Sequence, residues 1–129
     1  MAEPDIRKTG IGYGPEMTTI YKICPAPEWR AAEHAGIYSD SAVDRSDGFI
    51  HFSTAEQVAE TAAKHFTDQR DLVLVSVDAA NLGKRLKWEP SRGGALFPHL
   101  YGALELNTVL RVEPLPLDEN GRHAFPPLR

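Results

Sequence analysis

The stretch DLVLVSVD, residues 71–78, is a nearly continuous aliphatic run of strand length. A strand that is covered on one face only alternates apolar and polar side chains, whereas this stretch is apolar at nearly every position. The pattern therefore predicts a central β-strand that is buried on both faces.

Two strands and two helices are predicted on the N-terminal side of this run. Residues 18–24 are β-branched and aromatic up to Pro25, and residues 48–54 form a second, short strand. A helix is expected over residues 28–35, because a proline stands at its start and a glycine just past its end. A second helix is expected over roughly residues 55–66, where apolar side chains follow helical spacing.

The second helix has a start signal. Ser53 or Thr54 is expected to cap it, and Glu56 or Gln57 three residues later completes a capping box. The N–H groups and the positive dipole end of this helix would then point toward the corner that Ser53 occupies.

Strands dominate on the C-terminal side of the run. Residues 86–89 and 108–112 are strand candidates, and residues 96–102 contain Pro98. Since proline cannot donate a ladder hydrogen bond, we expect that segment at a sheet edge or in a loop. The sequence thus predicts only two main helices for several strands. Too few helices are present for a doubly wound sheet, so an α+β fold with mostly antiparallel strands is favoured.

The composition is that of an ordinary soluble domain. The chain has 129 residues, a mass of 14.3 kDa and a formal net charge of −4. We expect no nucleic-acid-binding surface, since that would need a basic face. The single cysteine, Cys24, excludes an intrachain disulfide and a multi-cysteine zinc module. No apolar run is long enough to cross a membrane and no secretory signal is present, so a cytoplasmic location is expected.

The composition also divides the chain. Residues 1–16 contain few sizeable apolar groups and are expected to form a flexible leader. Residues 17–117 are expected to form a single globular α+β domain. Residues 118–129 begin with a strong turn signal and continue as a proline-rich tail.

A histidine and a hydroxyl share one face of the strand at residues 48–54. Side chains alternate along a strand, so Phe49, His51 and Ser53 point the same way, with the last two about 7 Å apart. With the nearby helix N-terminus they would form a corner that recognises an anion or a hydroxyl group. The alternative is a capping serine and a half-buried structural histidine. Asp47 is close enough in sequence to orient His51.

A second cluster combines aromatic, acidic and imidazole side chains. Trp88 and Glu89 end one strand, and Phe97, His99 and Tyr101 share a face if their segment is extended. Aromatic rings beside a histidine suit the stacking of a flat ring.

A glycine-rich loop lies between the Trp88-Glu89 pair and the segment that contains Phe97, His99 and Tyr101. Arg92 and the two glycines after it could hold a phosphate through the guanidinium and bare backbone, or form a solvent-exposed loop. His34 and His65 lie near predicted helix C-termini and are expected at the surface. Cys24 is expected to be a buried small hydrophobe.

Taken together, these motifs resemble those of one family. The sequence from residue 20 to about residue 117 resembles the bacterial family known as domain of unknown function 952. Its members carry IYKI, a tryptophan in the first helix, DGFIHxST, a Trp-Glu pair and FPHLYG. In this chain the corresponding residues are 20–23, Trp29, 47–54, Trp88-Glu89 and 97–102.

That family is similar, more distantly, to the ADP-ribosyltransferase fold. The resemblance implies a split, mostly antiparallel β-sheet core with a cleft that holds NAD as cofactor. Lys22 stands about where many members carry the histidine of the first motif, and the strand through Ser53 matches the second motif. His99 or Glu105 would serve at the third-motif position.

The resemblance also implies roles for the candidate residues. Glu89 or His99 would polarise the acceptor as a general base, and Arg92 would meet the pyrophosphate. Tyr101 or Trp88 would stack on the nicotinamide. The catalytic candidates are therefore His51, Glu89 and His99, and the cofactor-binding candidates are Ser53, Thr54, Trp88, Arg92 and Tyr101.

Two alternatives to NAD-dependent transfer of an ADP-ribosyl or phosphoryl group stay open. The first is a noncatalytic module that binds a small nucleotide-like ligand in the same pocket. The second is a metal site of His51, His99 and Glu89, which ranks last because no metal-ligand spacing such as HxH or HExxH supports it. We expect a monomer or a weak dimer.

Overall fold

A computed structural model of the chain describes residues 18–39 and 47–128, and the expected leader at residues 1–16 lies outside them. The strands are β1 (Thr19–Pro25), β2 (Ile37–Tyr38), β3 (Ile50–His51), β4 (Leu72–Asp78), β5 (Leu86–Pro90), β6 (Leu96–Leu100), β7 (Leu104–Glu105) and β8 (Val109–Pro114). The α-helices whose bounds fall within the described residues are α1 (Ala26–Ala35) and α2 (Val58–His65), and 3-10 segments span Ala79–Arg85, Arg92–Gly94 and Leu106–Thr108.

The aliphatic run forms β4, the middle strand of an antiparallel sheet in the order β1-β4-β8. We call this the aliphatic sheet. Val75 and Val77 on one face of β4 and Leu74 on the other are fully buried. One face packs against side chains of α1 and the other against side chains of α2. The prediction of a central strand that is buried on both faces is therefore confirmed.

The segment that contains Pro98 is the middle strand of a second sheet, so the predicted edge or loop position is wrong. This histidine sheet has the order β3-β6-β5, and both pairs are antiparallel. The Pro98 carbonyl accepts a bond from the Phe52 N–H at 3.0 Å, just past the end of β3. Since the nitrogen and carbonyl of an extended residue face the same side, the missing N–H also faces the end of β3. The proline therefore removes no bond from the ladder with β5.

The two sheets meet edge to edge at a bridge between Tyr21 of β1 and Ser53, which lies just past β3. The N–H of each residue donates to the carbonyl of the other at 2.8 Å. Among residues 18–39 and 47–128, no further pairing joins β1 to β3. The two three-stranded sheets are thus joined at this bridge alone within the described residues, and β2 and β7 form a separate antiparallel pair.

Both predicted helices are present. α1 begins at Ala26 and ends where Gly36 adopts a φ of 82°, a left-handed conformation that glycine takes without strain. Trp29 and Ala32 form its buried face. Helix α2 begins at Val58, later than expected, because residues 55–57 form a turn.

Part of the predicted capping box precedes α2. The Thr54 N–H donates to Gln57 Oε1 at 3.0 Å, as a capping box requires. The Ser53 hydroxyl bonds the Thr61 hydroxyl at 3.0 Å instead of capping the helix. Ser53 is therefore tied to the side of α2 and not to its N-terminus.

The C-terminal segment packs on the α2 side of the aliphatic sheet. The chain turns at residues 118–121, where the Gly121 N–H donates to the Asp118 carbonyl at 3.0 Å. Phe125 and Leu128 then pack, partly buried, against the core that includes α2. The architecture is α+β with mostly antiparallel sheets. Within the described part of the chain, no helix has the length and apolar character needed to span a membrane.

Candidate functional site

A cavity of about 540 Å³ opens beside the Tyr21–Ser53 bridge, where the two sheets separate next to α2. Its walls combine a cation, the carboxylates of Glu28 and Asp47, imidazoles, hydroxyls and aromatic rings. The polar residues that line it include Lys22, His51, Ser53, Thr61 and His99, and the aromatic ones include Tyr21, Tyr38, Phe52 and Phe97.

His51 and His99 face each other across the ladder between β3 and β6. They are direct partners in the strand register, so their side chains lie on the same face of the histidine sheet. Their ring centroids are 5.6 Å apart and the rings meet edge to face. We call these residues the histidine pair. The structure thus brings together the two histidines that the sequence placed in separate clusters.

Asp47 is the carboxylate partner of His51. Its Oδ2 lies 2.8 Å from His51 Nε2, which confirms the expected orienting contact. Gly48, between them, has a φ of 87°, a left-handed conformation that lets the chain turn so that Asp47 reaches the ring. Because a carboxylate only accepts hydrogen bonds, Nε2 is the nitrogen that carries the hydrogen.

Glu89 is the carboxylate partner of His99. Its Oε1 lies 2.7 Å from His99 Nδ1 and accepts a bond from the Tyr101 hydroxyl at 2.8 Å. The bonds from His99 and Tyr101 lower the pKa of Glu89, and the bond to Glu89 raises the pKa of Tyr101. Glu89 therefore stays ionised and Tyr101 stays protonated at neutral pH. His99 Nδ1 donates to Glu89. The other ring nitrogen of His99, Nε2, is not part of that bond.

Phe49 contacts both members of the histidine pair. Its ring stacks on His99 with centroids 4.0 Å apart and lies 4.7 Å from the ring of His51. Tyr101 is 5.3 Å away. The predicted shared faces, of Phe49 with His51 and of His99 with Tyr101, are confirmed by these contacts. Phe49 covers one face of His99 and restricts the rotation of both imidazoles.

Lys22 brings a positive charge to the cavity wall. It is only 7% exposed, and its Nζ lies 3.4 Å from the His51 carbonyl and 5.7 Å from the centroid of the Tyr38 ring. A lysine is seldom buried to this extent unless polar groups compensate the loss of hydration. The cavity therefore has a cationic wall beside the histidine pair.

The expected anion corner at a helix N-terminus is not formed. The Ser53 N–H is used in the bridge to Tyr21, and the cavity runs along the side of α2 at Thr61. His65 lies one turn further along this helix and also lines the cavity, although it is exposed. Because Thr61 and His65 are four residues apart, helical spacing is the signal that would have placed them on one face.

The other predicted site residues lie at different distances from the cavity. Glu89 and Tyr101 contact His99 and not the cavity wall, as far as the described residues show. Trp88 packs against the core on the opposite face of β5, because neighbouring residues of a strand alternate. Thr54 is half-buried in the turn before α2. The Arg92 side chain lies outside the described part of the chain, and the adjacent Ser91 lines the cavity.

The histidines and carboxylates are arranged in two separate hydrogen-bonded units. Among the residues that the structure describes, no three His, Cys, Asp or Glu side chains are placed to hold a metal ion together. Asp47 and Glu89 each bond one imidazole. The arrangement suits proton transfer by two oriented imidazoles.

The chain is similar to known proteins in sequence and in structure. It matches the family model described as "Protein of unknown function (DUF952)" over residues 23–112. No curated protein matches it at a significant level.

Two solved structures of protein CC0527 from Caulobacter crescentus are similar to this chain. The crystal structure is 53% identical, with a TM-score of 0.80, and the match covers 83% of this chain and 94% of that chain. The solution NMR structure is 55% identical, with a TM-score of 0.75, and the match covers 82% of this chain and 91% of that chain. Because the family match spans most of the chain and includes the histidine pair with both carboxylates, this chain belongs to the DUF952 family.

Proposed function

We propose that the cavity binds NAD or a related nucleotide, and that the protein transfers an ADP-ribosyl or phosphoryl group from it. The observation that carries this proposal is the buried Lys22 in the cavity wall, beside His51 and Ser53. A cation that is shielded from water, with hydroxyl and imidazole groups around it, suits an anionic phosphate.

The size and the walls of the cavity support the same ligand class. Its volume of about 540 Å³ lies within the range of about 300–1,000 Å³ that is typical of small-molecule sites. The rings of Tyr21, Tyr38 and Phe97 offer apolar surface to a nicotinamide or a base. His51 and Ser53 offer hydrogen bonds to a ribose or an amide.

The order of the motifs supports an ADP-ribosyltransferase-like assignment of the fold. Lys22 and Ser53 occupy the positions of the first and second motifs in that resemblance, and the Tyr21–Ser53 bridge holds them side by side. For the third position, His99 lines the cavity, whereas Glu105 is exposed on β7, which pairs with β2. We assign the third position to His99.

Titration of ADP-ribose and of NAD into isotope-labelled protein tests the nucleotide site by NMR. We expect amide shifts at Lys22 and Ser53 and none at Val112 on the outer strand β8. Lys22→Met keeps the length of the side chain and removes its charge, and should weaken binding about tenfold or more. Lys64→Met is the matched control, because Lys64 is exposed on α2 and pairs with Glu60. The absence of shifts around the cavity at millimolar ligand would exclude this site.

A noncatalytic ligand-binding module is the second candidate function. It is favoured by the position of Glu89, whose carboxylate is engaged by His99 and Tyr101. Incubation of the protein with NAD, followed by proton NMR of free nicotinamide, separates the two functions. Release of nicotinamide at a rate that depends on His99 would favour transfer, and binding without release would favour the module.

A further inference from the structure

We propose that His51 and His99 act as a general base and a general acid on a phosphodiester, and that the substrate is a nucleoside 2′,3′-cyclic phosphate. The inference rests on the proposed nucleotide site and adds to it a reaction and a substrate class. The observation that carries it is the direct cross-strand pairing of two cavity-lining histidines, each with its own carboxylate.

The two rings can act on one small group from the same side. Their centroids are 5.6 Å apart and the rings meet edge to face, so they contact each other, and a substrate would lie in front of them in the cavity that both line. The phosphate of a cyclic diester there would present both the attacked phosphorus and the leaving oxygen to the two imidazoles. Lys22, in the same wall, would stabilise the negative charge that develops on the phosphate oxygens.

The surroundings of the two imidazoles divide the roles. His99 is 6% exposed and bonds Glu89, which Tyr101 also holds. Because Glu89 accepts from His99 Nδ1, Nε2 is the nitrogen that can give a proton to the leaving oxygen, so we assign His99 as the acid. His51 is more exposed and can accept a proton from an entering water, so His51 is the base. Asp47 and Glu89 are positioning residues, since each orients one ring.

The reaction is a hydrolysis that balances with water alone. The water oxygen forms a bond to phosphorus while its proton passes to His51. The bond from phosphorus to one ribose oxygen breaks, and that oxygen takes a proton from His99. The product is a nucleoside monophosphate, and proton exchange with solvent returns the two histidines to their starting states.

Phosphorus NMR of the full chain with adenosine 2′,3′-cyclic phosphate tests this inference. We expect turnover with a bell-shaped dependence on pH, and a loss of about a hundredfold or more in kcat for His51→Ala and for His99→Asn. His34→Ala is the matched control, because His34 is exposed on α1, and it should keep wild-type turnover. Glu89→Gln should lower kcat by roughly tenfold or more, leave KM nearly unchanged and shift one limb of the pH profile.

Binding of ADP-ribose, measured on the same variants, separates the possible failures. His99 is buried, so retained binding and an unchanged thermal unfolding temperature show that its variant is folded. Nucleotide binding without turnover by the wild type would overturn the acid–base inference and leave the nucleotide site standing. Turnover that persists in both histidine variants would also overturn it. The absence of binding by every nucleotide tested would remove the proposed function and this inference together.

Discussion

The two histidine–carboxylate units share one kind of contact and differ in their surroundings. In the Asp47–His51 unit the bonded atoms are 2.8 Å apart, and the side chains are 48% and 34% exposed respectively. In the Glu89–His99 unit the distance is 2.7 Å, and the exposures are 34% and 7%. Solvent screens the first unit more than the second, so the same bond should affect stability less in the first. Contact distance alone therefore does not rank the two units.

Leu100→Ala should disturb both units at once and produce the largest effect. Leu100 is fully buried on the face of β6 opposite His99 and pairs with Ile50 of β3, so it supports both strands. Truncation of such a leucine should lower the free energy of unfolding by about 2–5 kcal/mol, which urea denaturation measures. Leu110→Ala is the matched control on the exposed face of β8 and should cost less than about 0.5 kcal/mol. Equal losses in the two variants would contradict this account.

Phe49→Ala should have the next largest effect and act mainly on His99. The ring of Phe49 stacks on His99 and only tilts against His51. We expect a loss of about 1–2 kcal/mol in unfolding free energy, since aromatic pairs contribute about 0.5–1.5 kcal/mol each. The loss of ring-current shifts should be larger for the His99 ring protons than for those of His51. Larger changes at His51 would contradict the stacking of Phe49 on His99.

Glu89→Gln should change how stability depends on pH. The fold lowers the pKa of Glu89, chiefly through the bond from His99, so the ionised form is the one that the fold favours. That contribution is present above the ordinary pKa of glutamate and is lost as the pH falls through the lowered value. Thermal melts between about pH 6 and pH 2 should therefore show a steeper loss of stability for the wild type than for Glu89→Gln. Parallel curves for the two proteins would count against the Glu89–His99 bond.

Asp47→Asn should have the smallest effect on stability. Its partner His51 and Asp47 itself are both substantially exposed, and exposed ion pairs contribute about 0–1 kcal/mol. We expect a change in unfolding free energy below about 0.5 kcal/mol in urea denaturation. A change as large as that of Phe49→Ala would mean that the Asp47–His51 unit is more important to the fold than its exposure suggests.

Several features of the site follow from local sequence patterns. Alternation along strands put Phe49 on the face of His51, and the ring contacts confirm that placement. The same alternation sets Trp88 and Glu89 on opposite faces of β5, so Trp88 packs in the core while Glu89 reaches His99. The signal that excludes Trp88 from the histidine face was therefore already present in the chain.

Other features depend on pairings that no local pattern encodes. Pro98 favours a sheet edge by its chemistry, yet β6 is a middle strand, because the missing N–H faces the end of the short β3. Lys22 lies in an otherwise apolar strand, and its place in the cavity wall follows from the bridge between Tyr21 and Ser53. Both outcomes are set by how long each partner strand is and where it lies.

By itself the sequence determined the central aliphatic strand, the shared face of Phe49 and His51 and the contact between Asp47 and His51, because each depends on residues a few positions apart. Only the tertiary structure decided that His51 pairs with His99, that Glu89 holds His99, and that a cavity opens beside Lys22. Strand register is the physical reason. A shift of one residue between β3 and β6 would place the two histidines on opposite faces, and the register is chosen by packing across the whole core.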